Sequence, residues 1–153
     1  MTSQHIFDII KKNYPYILGG SRAISMQVNN FRKVDDYDVM IDGDCFPFIK
    51  MLCEKNNLKI EDTKYGKEHI KTIKTEDSKI DLIFLGVGAI RNLKDYIIDK
   101  NGINILHINK IINYKIELLK NFENIDIKNK HLQDLLFLFK NEKFEFKHIN
   151  GSQ

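Results

Sequence analysis

The sequence predicts an α+β fold, α/β-like in its core, with a mixed central sheet flanked by helices. Three observations predict it. Apolar runs of strand length and segments of helical period interleave irregularly along the chain, without a strict strand–helix rotation. The run Lys79-Ile-Asp-Leu-Ile-Phe-Leu85 is apolar enough for a buried strand. Finally, Asn101-Gly102 stands between two apolar stretches, the strongest short hairpin signal, and so demands an antiparallel pair.

The elements follow in order. Ile6, Ile9 and Ile10 fall at helical spacing over residues 4–13, and Tyr14-Pro15 stops that helix. Residues 16–18 form a short buried strand, and 21–29 a helix with Ala23, Ile24 and Val28 on its apolar side. Asn29-Asn30 and the charges up to Asp35 make a loop before a second strand at 37–41, which Asp42-Gly43-Asp44 ends as a turn. A helix at 46–55 turns Phe48, Ile49, Leu52 and Cys53 inward. Residues 58–62 and 68–75 alternate as strands around a turn at Tyr65-Gly66-Lys67, with His69 and Lys71 pointing to an edge position for the second. Glu76-Asp77-Ser78 turns into the strand at 79–85, which Gly86-Val87-Gly88 closes. Residues 96–99 and 103–107 are the hairpin arms, with a helix through Leu93, Tyr96 and Ile97 as the competing assignment. Helices at 109–121 and 130–140 finish the chain, followed by a frayed tail.

At 153 residues, with 42% hydrophobic and 29% charged side chains, the chain has the size and balance of one ordinary domain. The expected division is an α/β core at 1–108 and C-terminal helices at 109–140. No apolar run approaches the roughly 20 residues of a membrane helix, and the opening Met-Thr-Ser-Gln-His has no signal-peptide pattern, so the cytoplasm is expected, with no membrane partner. A net charge of +3 permits an anionic substrate without pointing to nucleic acid by itself. Cys45 and Cys53, eight apart, suit one buried face rather than a zinc site.

The chemistry gathers on two stretches. Gly19 and Gly20 allow close backbone approach and Ser21 can cap, so a strand-to-helix turn there offers N–H groups to an anion. Asp36 and Asp38 lie on one face of a strand because side chains alternate with period two. Such a pair can hold divalent cations against phosphate oxygens. Asp81 lies between apolar neighbours, where an unpaired carboxylate is expensive. A neighbouring strand would bring it to the other two. Plain alternatives stand beside each: an ordinary turn, a solvated strand edge, an ion pair of Asp81 with a lysine, a solvated Arg22.

Gly19-Gly20-Ser21, then Asp36-Tyr37-Asp38, then Asp81 among apolar residues resembles the signature of the nucleotidyltransferase superfamily. The segment Lys128-Asn-Lys-His-Leu-Gln-Asp134, after a helix carrying Lys115, is similar to the end of its small abortive-infection and toxin–antitoxin type, with His131 where relatives often carry aspartate. The resemblance spans residues 16–138. It implies a polymerase-beta-like fold and transfer of a nucleoside monophosphate from an NTP such as ATP to a hydroxyl acceptor. Asp36, Asp38 and Asp81 would be catalytic and would bind two Mg²⁺ ions, with Mn²⁺ as a substitute. Gly19, Gly20, Ser21, Arg22, Lys115, Lys130 and Asp134 would bind the nucleotide. RNA or tRNA is the favoured acceptor, ahead of protein or a small molecule. Only the last two helices are left to grip it, so a homodimer would complete the site. The alternative is a binding module of the same fold, antitoxin-like or regulatory. A surface role for Lys115 and a simple i, i+4 ion pair between Lys130 and Asp134 also remain open.

Overall fold

The computed structural model describes residues 1–63, 68–93, 97–121 and 125–140. The turn expected at Tyr65-Gly66-Lys67 and the tail after residue 140 lie outside the described residues.

Helix α1 (Ser3–Asn13) starts where the Thr2 hydroxyl accepts the N–H of His5, a side-chain cap. Ser3 then ties the helix start to Thr75 and Ser78 at 2.6 Å each. Strand β1 (Tyr16–Gly19) is buried throughout and leads directly into α2 (Gly20–Gln27). Strand β2 (Tyr37–Asp42) buries Tyr37, Val39 and Ile41 on one face and leaves Asp38, Met40 and Asp42 on the other. A 3₁₀ turn and helix α3 (Phe46–Lys55) return over the first face. Strands β3 (Ile60–Asp62), β4 (Ile70–Lys74) and β5 (Lys79–Leu85) follow, then the short α4 (Ala89–Asn92). The hairpin β6 (Ile97–Lys100) and β7 (Ile103–Leu106) precedes α5 (Ile108–Asn121) and α6 (Ile125–Lys140). Asn101 and Gly102 both have positive φ, 53° and 76°, as the turn of this hairpin requires.

The seven strands run in the order β3-β4-β5-β2-β1-β7-β6. At the centre β1 pairs antiparallel with β2, while β2–β5 and β1–β7 are parallel. The outer pairs are antiparallel. Two apolar cores sandwich this mixed sheet. One joins Ile6, Phe7 and Ile10 of α1 with Ile49 and Cys53 of α3 and the inward residues of β1, β2 and β5. The other joins Ala23, Ile24 and Val28 with Ile105, Ile108, Ile111 and Leu138, and so seats α5 and α6 on α2 and β7. Gln27, fully buried, fixes that junction: its amide donates to the Leu106 carbonyl at 2.8 Å and accepts from the Ile108 N–H at 3.0 Å. Among the described residues no helix is long and apolar enough to cross a membrane.

Four expectations need correction. Strand β4 is interior, because the three-residue β3 covers its flank and Lys71 pairs with Asp62 across the two strands. Phe48 is 59% exposed: Ile49 and Cys53, four apart, face the core, and a residue one step round the helix does not. Helix α6 begins at Ile125 rather than 130, with Asp126 in its first turn, where a carboxylate favours a helix start. Helix α4 was not foreseen; the N–H of Ile90 donates to the side chain of Asp42, which compensates for its shortness. Cys45 and Cys53 are both buried free thiols, as the packing reading required.

Candidate active site

The carboxylates are placed by strand register. In the parallel pair β2–β5, Asp38 stands opposite Asp81, and on its other side Asp38 pairs with Gly19 of β1. Side chains alternate, so both acids project from the face away from α1 and α3. Asp36 comes from the loop just before β2. All three line one cleft of about 530 Å³, together with Gly19, Gly20 and Ser21.

Gly20 is fixed by geometry. It has φ +61°, and a Cβ built on it would stand 2.1 Å from Oδ2 of Asp38. Asp38 is pushed up to about 6, first by burial and then by the negative charge of Asp81, with Lys115, Lys130 and Lys79 offsetting part of the rise. Asp81, 4% exposed, accepts the Thr72 hydroxyl at 2.5 Å and stands 3.5 Å from the Lys79 ammonium. The sequence alternative of a lysine partner for Asp81 is therefore realised, inside the cleft that Lys79 also lines.

Two neighbouring carboxylates favour a proton or a cation between them. They fit Mg²⁺ or Mn²⁺, which take one or two protein carboxylates and complete the shell with phosphate oxygens and water. Strand register sets Asp38 beside Asp81, and Asp36 lines the same cleft. Among the described residues, no three His, Cys, Asp or Glu side chains form a group that could hold an ion.

A second cluster meets the cleft from α5 and α6. Asp134 is 2% exposed and takes a fork from Arg32, Nε to Oδ1 at 2.7 Å and Nη2 to Oδ2 at 2.9 Å. Its Oδ2 also accepts the Ser21 hydroxyl at 3.1 Å and the Lys115 ammonium at 3.2 Å. Burial pulls Asp134 upward, but the hydrogen bonds and charge of Arg32, with Lys115, hold it below the ordinary carboxylate value. Lys115, 3% exposed, is lowered by burial against the pull of Asp134, and lies 3.0 Å from Nδ1 of His131. His131 is lowered to about 4 by burial and the Lys115 charge.

The structure thus joins Ser21, Lys115 and Asp134 and turns Lys130 to the same cleft as an exposed residue. Asp134 is paired with Arg32 and Lys115, not through the i, i+4 contact with Lys130 left open by the sequence. Arg22 lies elsewhere: it donates to the carbonyls of Asp35 and Asp36 and stacks 3.8 Å from the Tyr37 ring, so it shapes the loop that carries Asp36. Sequence reasoning missed Arg32, which carries no local signal inside a charged loop. It also missed Lys79, although period-two alternation puts that residue on the face of Asp81.

No family model and no curated protein matches this sequence. Solved structures do match. The antibiotic-resistance factor ANT(2'')-Ia is 15% identical, with 91% of this chain and 86% of that one covered at a TM-score of 0.57. The lincosamide antibiotic adenylyltransferase LnuA, in its lincomycin-bound crystal structure, is 12% identical over 86% and 92% of the two chains, again at 0.57. A candidate nucleotidyltransferase from Thermotoga maritima is 15% identical over 90% and 96%, at 0.52. This is the nucleotidyltransferase fold. In the nucleotidyltransferase fold of this chain, the mixed sheet presents Asp38 and Asp81 on the face away from α1 and α3, and the C-terminal helices bring Lys115 and Asp134 to the glycine turn.

Proposed function

We propose that the chain is a metal-dependent nucleotidyltransferase that moves a nucleoside monophosphate from an NTP to a hydroxyl acceptor and releases pyrophosphate. The observation that carries this reading is Asp38 standing beside Asp81 at the Gly19-Gly20 turn, in a chain of this fold. Asp38 and Asp81, with Asp36, would hold Mg²⁺ or Mn²⁺. When bound, the ion supplies neutralisation of phosphate charge and a lower pKa for the acceptor hydroxyl.

The chain's own residues do the rest. Gly20 keeps space for the Asp38 carboxylate at the start of α2, where backbone N–H groups face an anion. Lys115, Lys130 and Arg32 bring positive charge to the triphosphate end of the cleft. Asp81, oriented by Thr72, takes the proton of the acceptor hydroxyl. The acceptor oxygen bonds to the α-phosphorus as the bond to the β-phosphate oxygen breaks, and pyrophosphate leaves with that electron pair. Lys128 to Asp134 supports a relation to the small toxin–antitoxin type. The acceptors to test are RNA or tRNA ends, protein hydroxyls and, from the lincosamide adenylyltransferase likeness, small molecules.

The engagement of Asp81 by Thr72 and Lys79 favours a second reading, a binding module that holds nucleotide without transfer. Incubation of the purified chain with each α-labelled NTP, Mg²⁺ and total RNA, protein or a small-molecule pool separates the two. Label on an acceptor supports the enzyme; tight binding with no transfer to any pool supports the module.

A further inference from the structure

The cluster around Asp134 leaves one polar atom over. An ammonium has only hydrogens to give, so the contact between Lys115 and Nδ1 of His131 makes that nitrogen the acceptor. The ring proton then sits on Nε2. His131 is 8% exposed, and its Nε2 is buried with no hydrogen-bond partner among the described residues. A buried donor without an acceptor is costly, and a native structure tolerates it where another molecule brings the acceptor.

What that molecule offers follows from the surroundings. His131 lines the cleft, and the charges acting on it are those of Lys115, Lys130 and Arg32 against Asp134. Three cations and one carboxylate call for an anionic oxygen. The ring, held neutral by its burial and then by those cations, can donate without adding to their mutual repulsion.

We propose that His131 donates its Nε2–H to a terminal phosphate oxygen of the bound nucleoside triphosphate, with Lys115 fixing the tautomer that allows it. The proposal rests on the reading of the cleft as an NTP site. It adds a neutral donor to a phosphate cradle otherwise made of cations, and makes Lys115 a positioning residue for the ring.

Calorimetric titration with Mg²⁺ and the α,β-methylene analogues of ATP, GTP, CTP and UTP, alongside the monophosphates, tests it. In His131→Phe the affinity for the preferred triphosphate analogue falls about tenfold while that for its monophosphate holds, and His131→Gln recovers part of the loss. Imidazole ¹⁵N shifts of the unmodified chain report the Nε2–H tautomer before ligand and a shift of that nitrogen on binding the triphosphate analogue, with no variant needed. Equal losses for triphosphate and monophosphate, unchanged triphosphate affinity in His131→Phe, or a proton on Nδ1 overturn the proposal. If the unmodified chain binds no nucleotide, the reading of the cleft falls as well, and that outcome is distinct from the other three.

Discussion

Gly20 and Asp38 hold positions that exclude any side chain on the first: a Cβ there would stand 2.1 Å from the Oδ2 of the second. The backbone at residue 20 is also left-handed, with φ +61°, so a larger residue meets strain and collision together. Gly20→Ala should lose at least about 2 kcal/mol of stability. Transfer should fall by about a hundredfold or more as the carboxylate is displaced. Urea unfolding and the labelled-NTP assay read the two effects.

Asp38→Asn separates chemistry from stability. Transfer should drop by about a thousandfold, and Asp36→Asn should also abolish it, with the melting temperature little changed or raised. The pH dependence carries the sign. The folded-state value of about 6 lies above the ordinary 3.8, so the folded chain holds this proton more tightly than the unfolded chain does. The stabilisation is fully present below about pH 4 and is lost as pH rises through about 6. The Asn variant should lack that loss and gain on the parent as pH rises through this window. Thermal unfolding from pH 4 to 8 measures it, and marked unfolding of the variant at neutral pH would assign Asp38 a structural role.

A divalent cation competes with the proton for the same pair of oxygens. Mg²⁺ should therefore bring the Asp38 titration down from about 6. Mn²⁺ should do the same and broaden carboxyl-carbon resonances of Asp38 and Asp81 before those of exposed acids such as Asp44. Carboxyl-detected NMR with and without metal gives the comparison.

Asp134 ties three parts of the chain together: Ser21 of α2, Arg32 of the loop before β2, and Lys115 of α5. Asp134→Ala strands the buried Lys115 charge and should cost about 3–5 kcal/mol. Arg32→Ala, at a side chain 39% exposed, should cost about 1 kcal/mol. Both should speed amide exchange in residues 32–36, since Arg32 and the Phe31–Phe137 ring contact at 5.5 Å pin that loop to α6. Unchanged exchange in both variants would show that the loop holds its place without this link.

Much of the fold was legible because it rests on local rules. Asn101-Gly102 announces its hairpin through the positive φ that both residues must adopt. The 37–41 run announces a strand by period two and the 79–85 run by its apolar character, and the parity that turns Val39 and Leu82 to one core sends Asp38 and Asp81 to the other face. Phe48 and the β4 position were misread because exposure depends on which neighbour arrives. A lysine such as Lys71 is tolerated inside a sheet once Asp62 on β3 pairs with it.

By itself the sequence determined most of the longer elements and which face of β2 and β5 carries the acids, since backbone conformation and side-chain periodicity act over a few residues. The tertiary structure alone decided that β2 and β5 run side by side with Asp38 against Asp81. It alone brought Arg32 and Asp134 together from opposite ends of the chain and left a buried imidazole nitrogen unpaired. Register between distant strands and pairing between distant charges are set by the packing of whole helices and sheets, and no short stretch of sequence contains that information.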